Sequence, residues 1–80
     1  MDKTRQFTIG QETPSDLKQI MDAVYASLVE KGYDPIMQIV GYILSEDPTY
    51  ITNHKGARSL ITRIDRDELL RELVRNYLDK

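Results

Sequence analysis

All three prolines of this 80-residue chain follow a residue able to cap a helix, as Thr13-Pro14, Asp34-Pro35 and Asp47-Pro48. A capping side chain accepts hydrogen bonds from the first backbone amides. The proline after it brings a preset helical φ and has no amide left to satisfy. Each pair therefore marks a helix start, as does Asp65 without a proline; Asp16 and Glu68, three residues after Thr13 and Asp65, extend two of these four starts toward capping boxes. Pro48 also pushes Asp47 out of helical space, so Ser45-Glu46-Asp47-Pro48 is both a stop and a start.

Between these marks the apolar residues recur with helical period. Leu17, Ile20, Met21, Val24, Tyr25, Leu28 and Val29 share one face of a first helix, which Gly32 ends as a left-handed cap. Ile36, Ile39, Val40, Ile43 and Leu44 form the stripe of a second, whose apolar density predicts a buried central position. Gly41 weakens that helix by about 1 kcal/mol relative to Ala, which a close backbone approach would offset. After a short turn of helix, a third helix is expected from His54 or Lys55 to Ile64, with Ala57, Leu60, Ile61 and Ile64 inward. A fourth starts at Asp65, with Leu69, Leu70, Leu73, Val74, Tyr77 and Leu78 as its stripe; Ile64 to Asp67 reads either as a break or as continuous helix. No strand alternation competes, so the fold class is all-α: a compact bundle of about four helices plus a short helical turn. Residues 13–80 form the helical domain. Residues 1–12 mix charged, polar and Gly residues around Phe7 and Ile9 and read as a flexible amino-terminal arm, with a short strand at Phe7 to Ile9 as the alternative.

Function is bounded by what the composition lacks. There is no cysteine and one histidine, His54. Disulfides and thiolate metal sites are thereby excluded, no histidine pair can hold a metal, and no metal or cofactor is expected. His54 itself reads as a surface or helix-start residue. Asp34, Asp47 and Asp65 are used as caps, and phosphate loops, HExxH pairs, nucleophile elbows and EF-hand loops are missing, so no catalytic residue is expected. The net charge of −2 gives no global field for nucleic acid or anionic membrane. No apolar run approaches the roughly 20 residues that span a bilayer, and none sits at Met1 as a signal segment; a cytoplasmic protein without membrane insertion is expected.

Two features stand out as candidate sites. Lys55, Arg58, Arg63 and Arg66 cluster in sequence and could meet an anionic partner, although Asp65, Asp67, Glu68 and Glu72 interleave with neighbouring arginines as helix-surface charge pairs would. Thr4 lies in the amino-terminal arm between Lys3 and Arg5. Phosphorylation there would add about −1.5 to −2 charges and three strong acceptors. The five tyrosines, Tyr25, Tyr33, Tyr42, Tyr50 and Tyr77, are placed to pack their rings with the hydroxyl wet. A chain this short buries only about 60% of its unfolded surface, which motivates a homodimer.

The run from Glu30-Lys31-Gly32-Tyr33-Asp34-Pro35 through Ile36-Met37-Gln38-Ile39-Val40-Gly41-Tyr42-Ile43-Leu44-Ser45, followed by Asp47-Pro48-Thr49-Tyr50-Ile51, closely resembles the IreB family of small bacterial regulators. Ala57-Arg58, Arg66-Asp67-Glu68-Leu69, Glu72-Leu73-Val74 and Tyr77-Leu78 continue the likeness over nearly the whole chain. The resemblance implies a non-enzymatic, helical, homodimeric protein of Firmicute-type bacteria. It would be phosphorylated on an amino-terminal threonine by a transmembrane Ser/Thr kinase with PASTA repeats, reversed by the cognate phosphatase, and would act on an unknown downstream protein in the response to cell-wall stress and antimicrobials. Thr4, within Asp2-Lys3-Thr4-Arg5-Gln6-Phe7, aligns with the acceptor; Thr8 is a secondary candidate. Two positions depart from the family pattern. Ser45-Glu46-Asp47-Pro48 stands for Ser-Gly-Asp-Pro, replacing a residue suited to left-handed backbone, and Ala57-Arg58-Ser59 stands for Ala-Arg-Asn. The alternatives are a small helical nucleic-acid-binding protein using the basic patch, although nucleic acid is not the expected partner, and an adaptor in a metabolic or RNA-processing complex.

Overall fold

The computed structural model describes residues 14–80, with side chains from residue 16 onward. The expected arm, the alternative strand at Phe7 to Ile9, the Thr13 cap and both candidate threonines lie outside the described residues. Within them the chain is all helical: α1 (Pro14–Glu30), α2 (Pro35–Ser45), a 3₁₀ turn (Pro48–Tyr50), a second 3₁₀ turn (His54–Gly56), α3 (Ala57–Thr62) and α4 (Arg66–Leu78).

The caps act as their chemistry dictates. Asp34 accepts from the Met37 amide at 3.2 Å, and Asp47 accepts from the Thr49 amide at 3.0 Å and the Thr49 hydroxyl at 2.7 Å. Asp65 accepts from the Asp67 amide at 3.0 Å, which settles the segment Ile64 to Asp67 as a break. The expected third helix opens as the second 3₁₀ turn because Lys55 stands at φ 53°, in left-handed space; regular helix begins only at Ala57.

The core lies between α1 and α3. Leu17, Ile20, Val24 and Leu28 of α1 meet Ala57, Ile61 and Ile64 from the α3 side, with Ile51, Ile39, Tyr42 and Leu69 closing the cluster. Ser27 is buried among them, while Tyr25 and Val29, expected inward, are about half exposed because the apolar arc of α1 is wider than the surface α3 and α2 cover. Gly41 lets the Tyr50 ring lie against α2: a Cβ on Gly41 would stand 2.4 Å from Tyr50 Cε1. Gln38 Nε2 donates to the Tyr50 carbonyl at 2.8 Å and fixes the same contact.

The predicted central position of α2 is not what the fold shows. Ile39 and Tyr42 are buried and Ile43 is partly buried, but Ile36, Val40 and Leu44 face outward. α4 departs from its expected stripe further still. Leu69 is its only buried residue, and it touches the rest of the described chain more sparsely than any other helix. Apolar periodicity reports which face wants burial, and in these two helices the described residues do not supply the covering surface.

Candidate functional site

On α2 the apolar residues cover about 220° of the helix, so burying one side exposes another. At 3.6 residues per turn, Ile36, Met37, Val40 and Leu44 fall within about 100° of arc, opposite Ile39 and Tyr42. Leu44 is 80% exposed. Tyr33, half exposed just before the Asp34 cap, stands at the start of this face. On α4, Leu70, Leu73, Val74, Tyr77 and Leu78 are all exposed, Tyr77 at 90%, and span an arc of about 140°. Contiguous apolar faces of this kind mark surfaces that meet another macromolecule.

The basic residues are largely engaged by the chain itself. Lys55 Nζ lies 3.3 Å from Glu30 Oε1 at the end of α1. Arg58 Nε donates to the Ile51 carbonyl at 2.9 Å. Arg66 Nη1 donates to the Ile43 carbonyl at 2.6 Å, and its Nη2 pairs with the Glu46 carboxylate. Arg63 lines a depression with Asp16, Gln19 and Leu60 between α1 and α3. Two of the four therefore serve as backbone ties. The interleaved carboxylates form helix-surface pairs as anticipated, Asp67 with Arg71 at 2.9 Å and Glu72 with Arg75 at 4.0 Å.

Two further joints were not visible in the sequence. His54 Nε2 stands 2.7 Å from Glu30 Oε1, so the single histidine clamps the second 3₁₀ turn to α1 from 24 residues away. The hydrogen bond from His54, then that from Lys55, holds the Glu30 carboxyl below its ordinary pKa. At the other joint Glu46 adopts φ 62° at the end of α2 and its amide bonds the Tyr42 carbonyl, the left-handed cap a glycine would favour. A turn of unusual residue but usual shape results, and Arg66 anchors the Glu46 side chain.

Among the described residues no group of three or more His, Cys, Asp or Glu side chains could hold a metal ion, and no helix is long and apolar enough to cross a membrane. The chemistry on view is that of surfaces and caps. Compared with known families, residues 2–79 match the model described as IreB regulatory phosphoprotein. The chain belongs to the IreB family. A protein of Lachnoclostridium phytofermentans described as a UPF0297 protein is 51% identical over 79 residues, covering 99% of this chain and 90% of that one. Membership in the IreB family gives the chain a regulatory role, and the family's description as phosphoproteins directs attention to hydroxyl side chains.

Proposed function

We propose that this protein is a cytoplasmic regulator without catalysis of its own, phosphorylated on Thr4 by a transmembrane Ser/Thr kinase, dephosphorylated by the cognate phosphatase, and acting in the response to cell-wall stress. The observation that carries this reading is the use of apolar side chains: α2 and α4 turn theirs outward as contact surfaces. A protein that works by contact is regulated by changing what it contacts. A phosphate of about −1.5 to −2 charges near such faces is large enough to do that.

The working form is a homodimer in which a second copy covers outward apolar surface, in the isologous manner of most two-subunit proteins. Sedimentation equilibrium of the full chain tests this part: dimer expected, with Val40→Asp or Val74→Asp shifting the balance to monomer, and a monomer at all concentrations discarding it. The phosphorylation reading is tested by intact-mass analysis of the protein from its host with and without cell-wall stress. One added phosphate that appears with stress and is absent from Thr4→Ala supports it; phosphate retained in Thr4→Ala moves the site to another residue, Thr8 first.

A further inference from the structure

We propose that the groove between the first turns of α1 and the middle of α4 seats the chain's own amino-terminal segment, anchored by Phe7 and Ile9. The inference goes beyond the function proposed above and does not depend on whether Thr4 is modified. The groove has an apolar floor of buried Leu17 and Leu69, walls from Met21 and Leu73, and a volume of about 390 Å³. Lys18, Glu72 and Asn76 edge it with polar groups, as at a site for a peptide with few apolar anchors.

Its position selects the occupant. α1 begins at Pro14, so residues 1–13 enter the fold at the end of the helix where Leu17 and Met21 stand. A chain spans at most about 3.3–3.6 Å per residue, which gives Ile9 a reach of about 17 Å from Pro14. At 1.5 Å per residue, Leu17 and Met21 lie only about 5–10 Å along the helix. Helices commonly cover their fourth residue with an apolar side chain just before the cap. Here that neighbour is Glu12, and the nearest upstream apolar residues are Ile9 and Phe7, with Gly10 available for a reversal of direction. A groove of this size is small for a stable separate partner, which buries about 1,000 Å² or more. A tethered segment meets it at an effective concentration in the millimolar range and needs no such area.

The absence of native cysteine makes the test direct. A nitroxide on Gln6→Cys in the otherwise full chain is expected to broaden the methyl signals of Leu17, Met21 and Leu73 severely, while leaving those of Ile36 and Leu44 on α2 sharp. Changing Phe7 and Ile9 together to Ser is expected to abolish the broadening with the remaining spectrum intact. Equal broadening on α2 and α4, no broadening, or broadening that survives the double change would overturn the proposal. So would broadening that appears only when nitroxide and isotope label are carried on different chains, which would assign the groove to a second copy.

Discussion

The α1–α3 half of the molecule and the α2–α4 half have similar apolar patterning but spend it differently. Leu28, Ile51, Ala57 and Ile61 are wholly buried. Ile36, Leu44, Val74 and Tyr77 are more than half exposed. The first half holds the fold together, and the second presents side chains of the same type to the outside. The largest predicted effect measures that contrast. Ile61→Ala should cost about 2–5 kcal/mol through lost burial and a cavity. Leu44→Ala should stay within about 0.5 kcal/mol for the isolated chain. Urea unfolding at the lowest workable concentration reads both, and comparable losses would mean that Leu44 is covered within one chain after all.

A smaller effect concerns how the outward half is attached. The Arg66 guanidinium crosses from the start of α4 to the Ile43 carbonyl and the Glu46 carboxylate at the end of α2. Its side chain is about one-third exposed, so the hydrogen bonds are partly screened. Arg66→Ala should cost about 1–2 kcal/mol. Hydrogen exchange should accelerate in the α4 amides while protection in α1 and α3 is retained. Uniform loss across all helices would show that α4 is cooperative with the core and that the two halves are one unit.

Gly41 gives a prediction whose sign depends on its neighbour. Alanine in a helix interior is favoured over glycine by about 0.5–1 kcal/mol, but overpacking costs about 1–3. With Tyr50 Cε1 2.4 Å from the new Cβ, Gly41→Ala should destabilise by about 1 kcal/mol net. In a Tyr50→Ala background the same change should stabilise, because only the helix preference remains. A double-mutant cycle by urea unfolding checks the reversal; equal effects in both backgrounds would mean the ring does not hold the glycine in place.

These contrasts explain what the sequence could and could not convey. Helix starts were legible because Asp34, Asp47 and Asp65 carry their instruction within two or three residues. The centres of the α1 and α3 stripes were legible because their partner is in the same chain, while Tyr25 and Val29 at the edge of the α1 stripe stay half exposed. The placement of α2 was misread, since an apolar residue such as Val40 or Leu44 signals a need for burial without saying whose surface meets it. Glu46 and Lys55 in left-handed space had no glycine to announce them, and the pair of His54 with Glu30 spans too many residues for spacing to reveal. Of the candidate site residues, Arg58 and Arg66 proved to be tied to backbone carbonyls. A charge run shows the donors a chain has, and only the fold shows which acceptors are within reach.

The smallest predicted effect lies in acid, where local caps and long-range joints separate. The hydroxyl of Thr49, then its amide, holds the Asp47 carboxyl below its ordinary pKa, and the contacts of His54 and Lys55 do the same for Glu30. A carboxyl with a lowered folded pKa binds its proton less readily in the folded than in the unfolded chain. Its stabilisation is therefore present above the unfolded value and is lost as pH falls through the folded one. The urea midpoint should decline as pH drops through and below the carboxylate range. Thr49→Val removes the hydroxyl donor while keeping the amide, so it should flatten that decline with little change of slope near neutrality. Glu30→Gln should flatten it as well, and should in addition loosen the second 3₁₀ turn, seen as faster exchange at the Gly56 amide. If Thr49→Val leaves the acid limb unchanged, the depression of Asp47 comes from the Thr49 backbone amide and the Arg58 charge, and the cap before Pro48 stands independently of the Thr49 hydroxyl.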